Sequence, residues 1–122
     1  MKKLLITLLL ISPFSFADWD DVYYCQMTSF VGVTPEGKEA DYILEKFQFK
    51  LDKAKEAVVF GGSGYFTGTV MELDMGRTWP SQERWYANDK FSMLYFEEGK
   101  FQYVSVVGSS GSKLISADCD KF

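Results

Sequence analysis

Five residues in one stretch carry most of the chemistry this chain offers: Arg77, Trp79, Arg84, Trp85 and Tyr86. Trp79-Pro80 falls in a long connection, and Trp85-Tyr86 opens the strand after it. Adjacent strand residues point to opposite faces, so one of Trp85 and Tyr86 is expected at the surface unless both faces are covered. Exposed Trp and Tyr offer large rigid contact area with a polar tip, which suits a binding hot spot. Arg77 and Arg84 are the only arginines, and a guanidinium beside aromatic rings can bind a carboxylate or stack on the ring. The competing reading buries Trp79 as a plug in the end of the fold and leaves the arginines solvated.

Other groups offer less. Asp18, Asp20 and Asp21 precede the first strand, and Asp118 and Asp120 bracket Cys119. Clustered carboxylates can hold Ca²⁺, yet no loop signature for it is present, so no metal or other cofactor is expected. Gly61-Gly62-Ser63-Gly64 could cradle an anion on its amides, but a phosphate loop needs a following helix and a lysine, and a strand follows here. The chain has no histidine, which excludes Ser-His and Cys-His catalysis and His-ligated metals. No nucleophile is paired with a base at a recognisable spacing, so a non-enzymatic role is expected. A hydrolase would need two acids converging in a cleft, and Glu97-Glu98 sits on a hairpin tip.

Two cysteines, Cys25 and Cys119, lie 94 positions apart. In an oxidising compartment an even pair reads as a disulfide, which also requires the first and last elements to lie side by side. The first 17 residues predict that compartment. Met1-Lys2-Lys3 is a basic start, Leu4 to Ile11 an apolar run, and Ser15-Phe16-Ala17 a small-residue cleavage site. The apolar run is far shorter than the roughly 20 residues of a spanning helix. Removal leaves 105 of the 122 residues, 18–122, as one domain. The formal charge of −4 becomes −6 when Lys2 and Lys3 go, which disfavours nucleic acid and anionic membrane surfaces as partners. The mature protein is therefore expected in the periplasm or outside the cell, not inserted in a membrane. Outer-membrane barrels often end in an aromatic residue, as Phe122 does here, but alternate positions back from it are Asp120, Asp118 and Ser116, which do not suit lipid.

The elements that position these groups read as strands. Lys46 to Asp52 alternates strictly, with Phe47, Phe49 and Leu51 on one face. Val22 to Val31 carries Tyr23, Cys25 and Met27 on one face, and further strands are expected at 57–60, 66–73, 83–87, 91–96, 101–107 and 113–119. Turns fall at Thr34-Pro35-Glu36-Gly37, at Asn88-Asp89, where both residues tolerate the left-handed region, at Glu97-Glu98-Gly99-Lys100 and at Ser109-Ser110-Gly111. A helical turn is a weaker reading of Lys38 to Leu44. About eight strands joined by short loops make an antiparallel meander. With its end strands bridged by a disulfide it is expected to be an all-β, closed or nearly closed small barrel filled by its own side chains.

An early Val22-Tyr23-Tyr24-Cys25, a central Ser63-Gly64-Tyr65 and a late cysteine resemble the layout of the periplasmic inhibitors of C-type lysozyme. Those are small antiparallel barrels, and the resemblance implies an inhibitor-like binding role. Their signature tyrosine, four positions after the serine, corresponds to Thr67 here, and their Lys-Gly pair is not matched. The expected function is thus a secreted binding module that engages an envelope or extracellular protein, or a small ligand, through a surface aromatic loop. The alternative is a structural or accessory envelope protein with no small-molecule site, in which Trp79 and Trp85 are both buried.

Overall fold

The computed structural model describes residues 18–109 and 111–122; the expected signal peptide (1–17) and Ser110 of the expected turn lie outside the described residues. Among these described residues nine strands form: β1 (Val22–Val33), β2 (Glu39–Asp41), β3 (Lys46–Asp52), β4 (Ala57–Phe60), β5 (Val70–Glu72), β6 (Arg84–Asn88), β7 (Ser92–Glu97), β8 (Lys100–Val107) and β9 (Gly111–Lys121). Eight of them run as an antiparallel meander in the order β5-β4-β3-β1-β9-β8-β7-β6, and β2 pairs beside β3 along the same edge of β1. A single bridge, Leu73 to Ala87, links the two ends of that order, so the barrel is nearly closed.

Closure at β1 and β9 is the reverse of sparse. Ten register pairs join them, and Cys25 stands directly opposite Cys119. Their Cα atoms are 4.0 Å apart and the disulfide is formed, which fits an oxidising compartment. The register shifts between Met27 and Ser29, a β-bulge that turns Phe30 inward again after Met27.

The interior is packed with rings. Phe47, Phe49, Phe60, Phe66, Phe96 and Phe101 pack at centroid separations of 4.4 to 6.2 Å, stacked, tilted or edge-on. The hydroxyl of Tyr103 donates to Ser92 Oγ at 3.0 Å, so the buried polar groups of this layer satisfy each other. One end is covered by Trp19, whose ring lies edge-on to Trp85 at 5.1 Å. The aromatic plug is therefore Trp19, held by Asp20 N–H donating to the Leu51 carbonyl, and not Trp79.

Three local expectations differ. Residues 66–73 form only the short β5, because Phe66 leaves the strand path to stack on Phe60 at 4.4 Å. Residues 38–44 contain β2 and no helical turn, since Glu39 to Asp41 find partners on Val33 to Val31. Asn88 and Asp89 avoid the left-handed region. Instead the Asp89 carboxylate accepts the Phe91 and Ser92 amides at 3.0 and 2.8 Å. The Glu98-Gly99 tip is as expected: both residues take positive φ, 52° and 79°, as a two-residue hairpin requires.

Candidate functional site

The connection from Asp74 to Glu83 begins where the barrel is least closed, and its own hydrogen bonds shape it. Asp74 N–H donates to the Tyr86 carbonyl at 2.8 Å, and the Asp74 carboxylate accepts the Gly76 amide at 3.0 Å. Thr78 is buried, and its hydroxyl serves both polar groups of one residue. It donates to the Tyr86 carbonyl and accepts the Tyr86 amide, each at 3.1 Å. One side chain thus replaces the backbone of a missing strand partner. A 3₁₀ turn over Pro80–Gln82 then reverses the chain, with Glu83 in the left-handed region at φ 56°.

This reversal makes Trp79 and Arg84 reciprocal backbone partners, with N–H to carbonyl distances of 2.7 and 3.1 Å. Their side chains are therefore neighbours, and the Arg84 guanidinium lies 5.0 Å from the Trp79 ring centre. Arg77 repeats the arrangement over Tyr86, again at 5.0 Å. Trp79 remains 47% exposed. Arg84 is steadied from the other side by Glu97 at 3.9 Å, and Arg77 by Asp74 at 3.7 Å. Tyr95 donates its hydroxyl to the same Glu97. That hydrogen bond, reinforced by burial, holds the Tyr95 phenol above its usual range.

Four of the five residues singled out by sequence, Arg77, Trp79, Arg84 and Tyr86, come together on this margin. Trp85 does not: it is 0% exposed and belongs to the core beneath Trp19. The alternation of β6 turns Trp85 and Ala87 inward, so Tyr86 is the residue of the pair on the outer face. Glu97 and Tyr95 complete the site, and sequence reasoning missed them. They sit across the β6–β7 pairing, Arg84 opposite Glu97 and Tyr86 opposite Tyr95, and a register set by the hairpin turn is not readable before the turn is known.

A second surface was also missed. The outer face of β7, β8, β9 and β1 carries an apolar row in direct register, Met93, Val104, Leu114 and Val31, of which Met93, Leu114 and Val31 are exposed and Val104 is half-buried. A readable signal existed: Met93-Leu94 and Leu114-Ile115 are apolar on both strand faces, more than a one-sided core needs.

The remaining candidates resolve into local structure. Asp118 pairs with Lys100 at 2.8 Å, Asp21 with Lys121 at 3.2 Å and Asp20 with Lys50 at 3.9 Å. Among the described residues no group of three or more His, Cys, Asp or Glu side chains is placed to hold a metal. Gly61 gives its amide to the Gln48 carbonyl, and the Glu45 carboxylate lies beside Gly64 and accepts the Tyr65 amide at 2.8 Å, an acidic neighbour that disfavours an anion in this loop. Tyr65 packs on Phe30, Phe66 and Tyr103, and Thr67 bonds back to Gly64 within its own turn. Among the described residues no helix is long and apolar enough to cross a membrane. Comparison with protein families, with curated proteins and with solved structures returned no match.

Proposed function

We propose that the protein is a non-catalytic binding module of the periplasm or the extracellular space. It engages another protein through the Trp79 margin, without a cofactor. The observation that carries this reading is the pair of stacked couples, Arg84 on Trp79 and Arg77 on Tyr86, on one exposed edge. Stacking restrains both guanidinium groups before any partner arrives, which lowers the ordering cost of binding. Each fork keeps donors available for a carboxylate, and Trp79 supplies the apolar anchor beside it. The matching partner surface presents an acidic group next to an apolar contact. The exposure of Trp79 disfavours the structural alternative, which required both tryptophans in the core.

The test is a photo-crosslinking residue placed at position 81, exposed in the turn beside Trp79, in the secreted protein, with position 120 on the outer face of β9 as control. A discrete adduct from position 81, absent from position 120 and lost with Trp79→Ala or Arg84→Ala, is the expected result. No adduct from position 81 overturns the reading. The inhibitor-like form, with a C-type lysozyme as partner, is read in a lysis assay: the protein slows lysis of a cell-wall suspension and Trp79→Ala abolishes the effect.

A further inference from the structure

The two ends of the barrel are finished differently. At one, Trp19 lies edge-on to Trp85 and closes the core. At the other, the inward-facing level above the core is small or polar. Gly32 of β1, Lys113 of β9, Ser105 of β8 and Ser92 of β7 stand there side by side in register. The level beneath is Phe30, Ile115, Tyr103 and Leu94, all buried. A barrel that only had to fill itself would carry bulky apolar side chains at the upper level too. Gly32 opens this mouth. A Cβ there would meet the Ser112 carbonyl oxygen at 2.5 Å and the Tyr42 ring at 3.2 Å, so the missing side chain is what lets Tyr42 lean over the rim.

A cleft of about 400 Å³ results, in the size range of small-molecule sites and in a barrel mouth, where such sites recur. Three rings build it. Phe30 is the buried floor, with Tyr42 tilted over it at 4.6 Å and Tyr65 edge-on to it at 5.1 Å. Tyr42 and Tyr65 remain 36% and 38% exposed. The Tyr42 amide donates to the Phe30 carbonyl at 2.9 Å, and the Tyr65 hydroxyl is hydrogen-bonded to Tyr103, whose own hydroxyl donates to Ser92. Both exposed rings are thereby restrained before any ligand arrives. Two charged groups of opposite sign stand among them. The Lys113 ammonium lies 5.8 Å from the Tyr42 ring centre, and the Glu45 carboxylate accepts the Tyr65 amide at 2.8 Å.

These groups decide what the cleft can hold. A cationic ligand meets an ammonium already placed over Tyr42, and an anionic one meets Glu45. A purely apolar molecule would strip water from both charges and return nothing for it. A neutral molecule fits when it has one apolar face for the rings and hydroxyls that donate to Glu45 and accept from Lys113. A sugar ring has this form: its C–H bonds make an apolar face attracted to the negative face of an aromatic ring, and its hydroxyls project around the edge. We infer that the barrel mouth between Tyr42 and Tyr65 binds a neutral saccharide. The two tyrosines are its platform, Glu45 accepts from one sugar hydroxyl and Lys113 donates to another. Arg77, Trp79, Arg84 and Tyr86 do not line this cleft, so the inference goes beyond the function proposed above and does not depend on it.

Saturation-transfer NMR on the disulfide-bonded protein tests the proposal. The probes are maltotriose, lactose, mannobiose and diacetylchitobiose at millimolar concentration, with tetramethylammonium and acetate as charged controls. Transfer to the ring C–H protons of at least one sugar is expected. Tyr42→Leu keeps an apolar side chain on Phe30 and weakens that binding about three- to tenfold, the worth of a ring contact beyond its buried area. Glu45→Gln keeps an oxygen for the Tyr65 amide and weakens binding about three- to tenfold by replacing a charged acceptor with a neutral one. An unchanged circular dichroism spectrum checks that each variant still folds, and Trp79→Ala leaves sugar binding as it was. Transfer to none of the sugars overturns the inference. So does transfer unaffected by both Tyr42→Leu and Glu45→Gln, which places the sugar elsewhere. Binding of tetramethylammonium or acetate in place of the sugars overturns the ligand class. Each of these results leaves the position-81 crosslink as an independent readout.

Discussion

The barrel has two seams, and they are built in opposite ways. At β1–β9, ten register pairs and a disulfide join the ends of the domain. At β5–β6 there is one bridge, the Asp74 amide and the hydroxyl of Thr78. The first seam is long because β1 and β9 are the longest strands, at 12 and 11 residues. The second is short because β5 has three residues and the chain then leaves the sheet. The connection that patches the weak seam also carries Trp79 and Arg77. A loop able to meet a partner has been placed where the sheet imposes least on it, and the covalent closure lies on the opposite side.

The largest effect expected from breaking this asymmetry comes from the strong seam. Reducing Cys25–Cys119, or the double substitution Cys25→Ala/Cys119→Ala, removes a cross-link spanning 94 positions. The loss expected from loop-closure entropy is about 4–5 kcal/mol, a large part of the stability of a domain this size. Thermal melting of the oxidised and reduced protein measures it. An unchanged melting curve after confirmed reduction would show that the ten-pair ladder holds without its staple.

Thr78→Val probes the weak seam and should cost less, about 1–3 kcal/mol, since it strips the part-buried Tyr86 amide of its acceptor, and the Tyr86 carbonyl of one of its two donors, while keeping the side-chain volume. The sharper readout is local. Hydrogen exchange at Tyr86 and Asp74 should accelerate in this variant while amides of β1 and β9 stay protected. Equal acceleration in both seams would mean that the barrel opens as one unit and that the contrast drawn here is geometric only.

These seams also mark what could be read in advance. The strong one was legible: two cysteines near the two ends of residues 18–122, each within an alternating strand, dictate side-by-side terminal strands. The ring-filled core followed from Phe47-x-Phe49-x-Leu51 and similar alternations. The weak seam was not legible, because a hydroxyl standing in for a strand leaves no periodic trace, and Phe66 left its strand for a stacking contact that only the folded state supplies. Trp79 and Trp85 show the same limit. They are six residues apart and of one type, and only the parity of β6 together with the plug supplied by Trp19 decides that one faces water and the other does not.

Trp79→Ala should accordingly change stability little, within about 0.5 kcal/mol, the range of surface substitutions. Acrylamide quenching separates the two indoles. Removing Trp79 by Trp79→Phe should abolish most of the quenchable fluorescence, whereas Trp85→Phe should leave it intact. Strong quenching that survives Trp79→Phe would place the exposed indole elsewhere and detach the proposed binding margin from the weak seam.

The smallest effect expected at neutral pH lies at Tyr65, in the loop that leads from β4 into β5. Burial, aided by the neighbouring Tyr103, pushes its phenol from 10.0 up to about 12. In the unfolded chain the same phenol ionises near 10, so the unfolded state sheds its proton first as pH rises. Stability from this group is complete below pH 10 and is lost progressively between pH 10 and about 12. Tyr65→Phe should flatten that part of the alkaline unfolding curve without abolishing it, because burial raises the Tyr23 phenol as well. If Tyr65→Phe leaves the alkaline slope unchanged, the Tyr65 hydroxyl is solvated. The loop feeding β5 would then be as open as the seam it leads to, and the loosely held region would extend from Gly61 to Glu83.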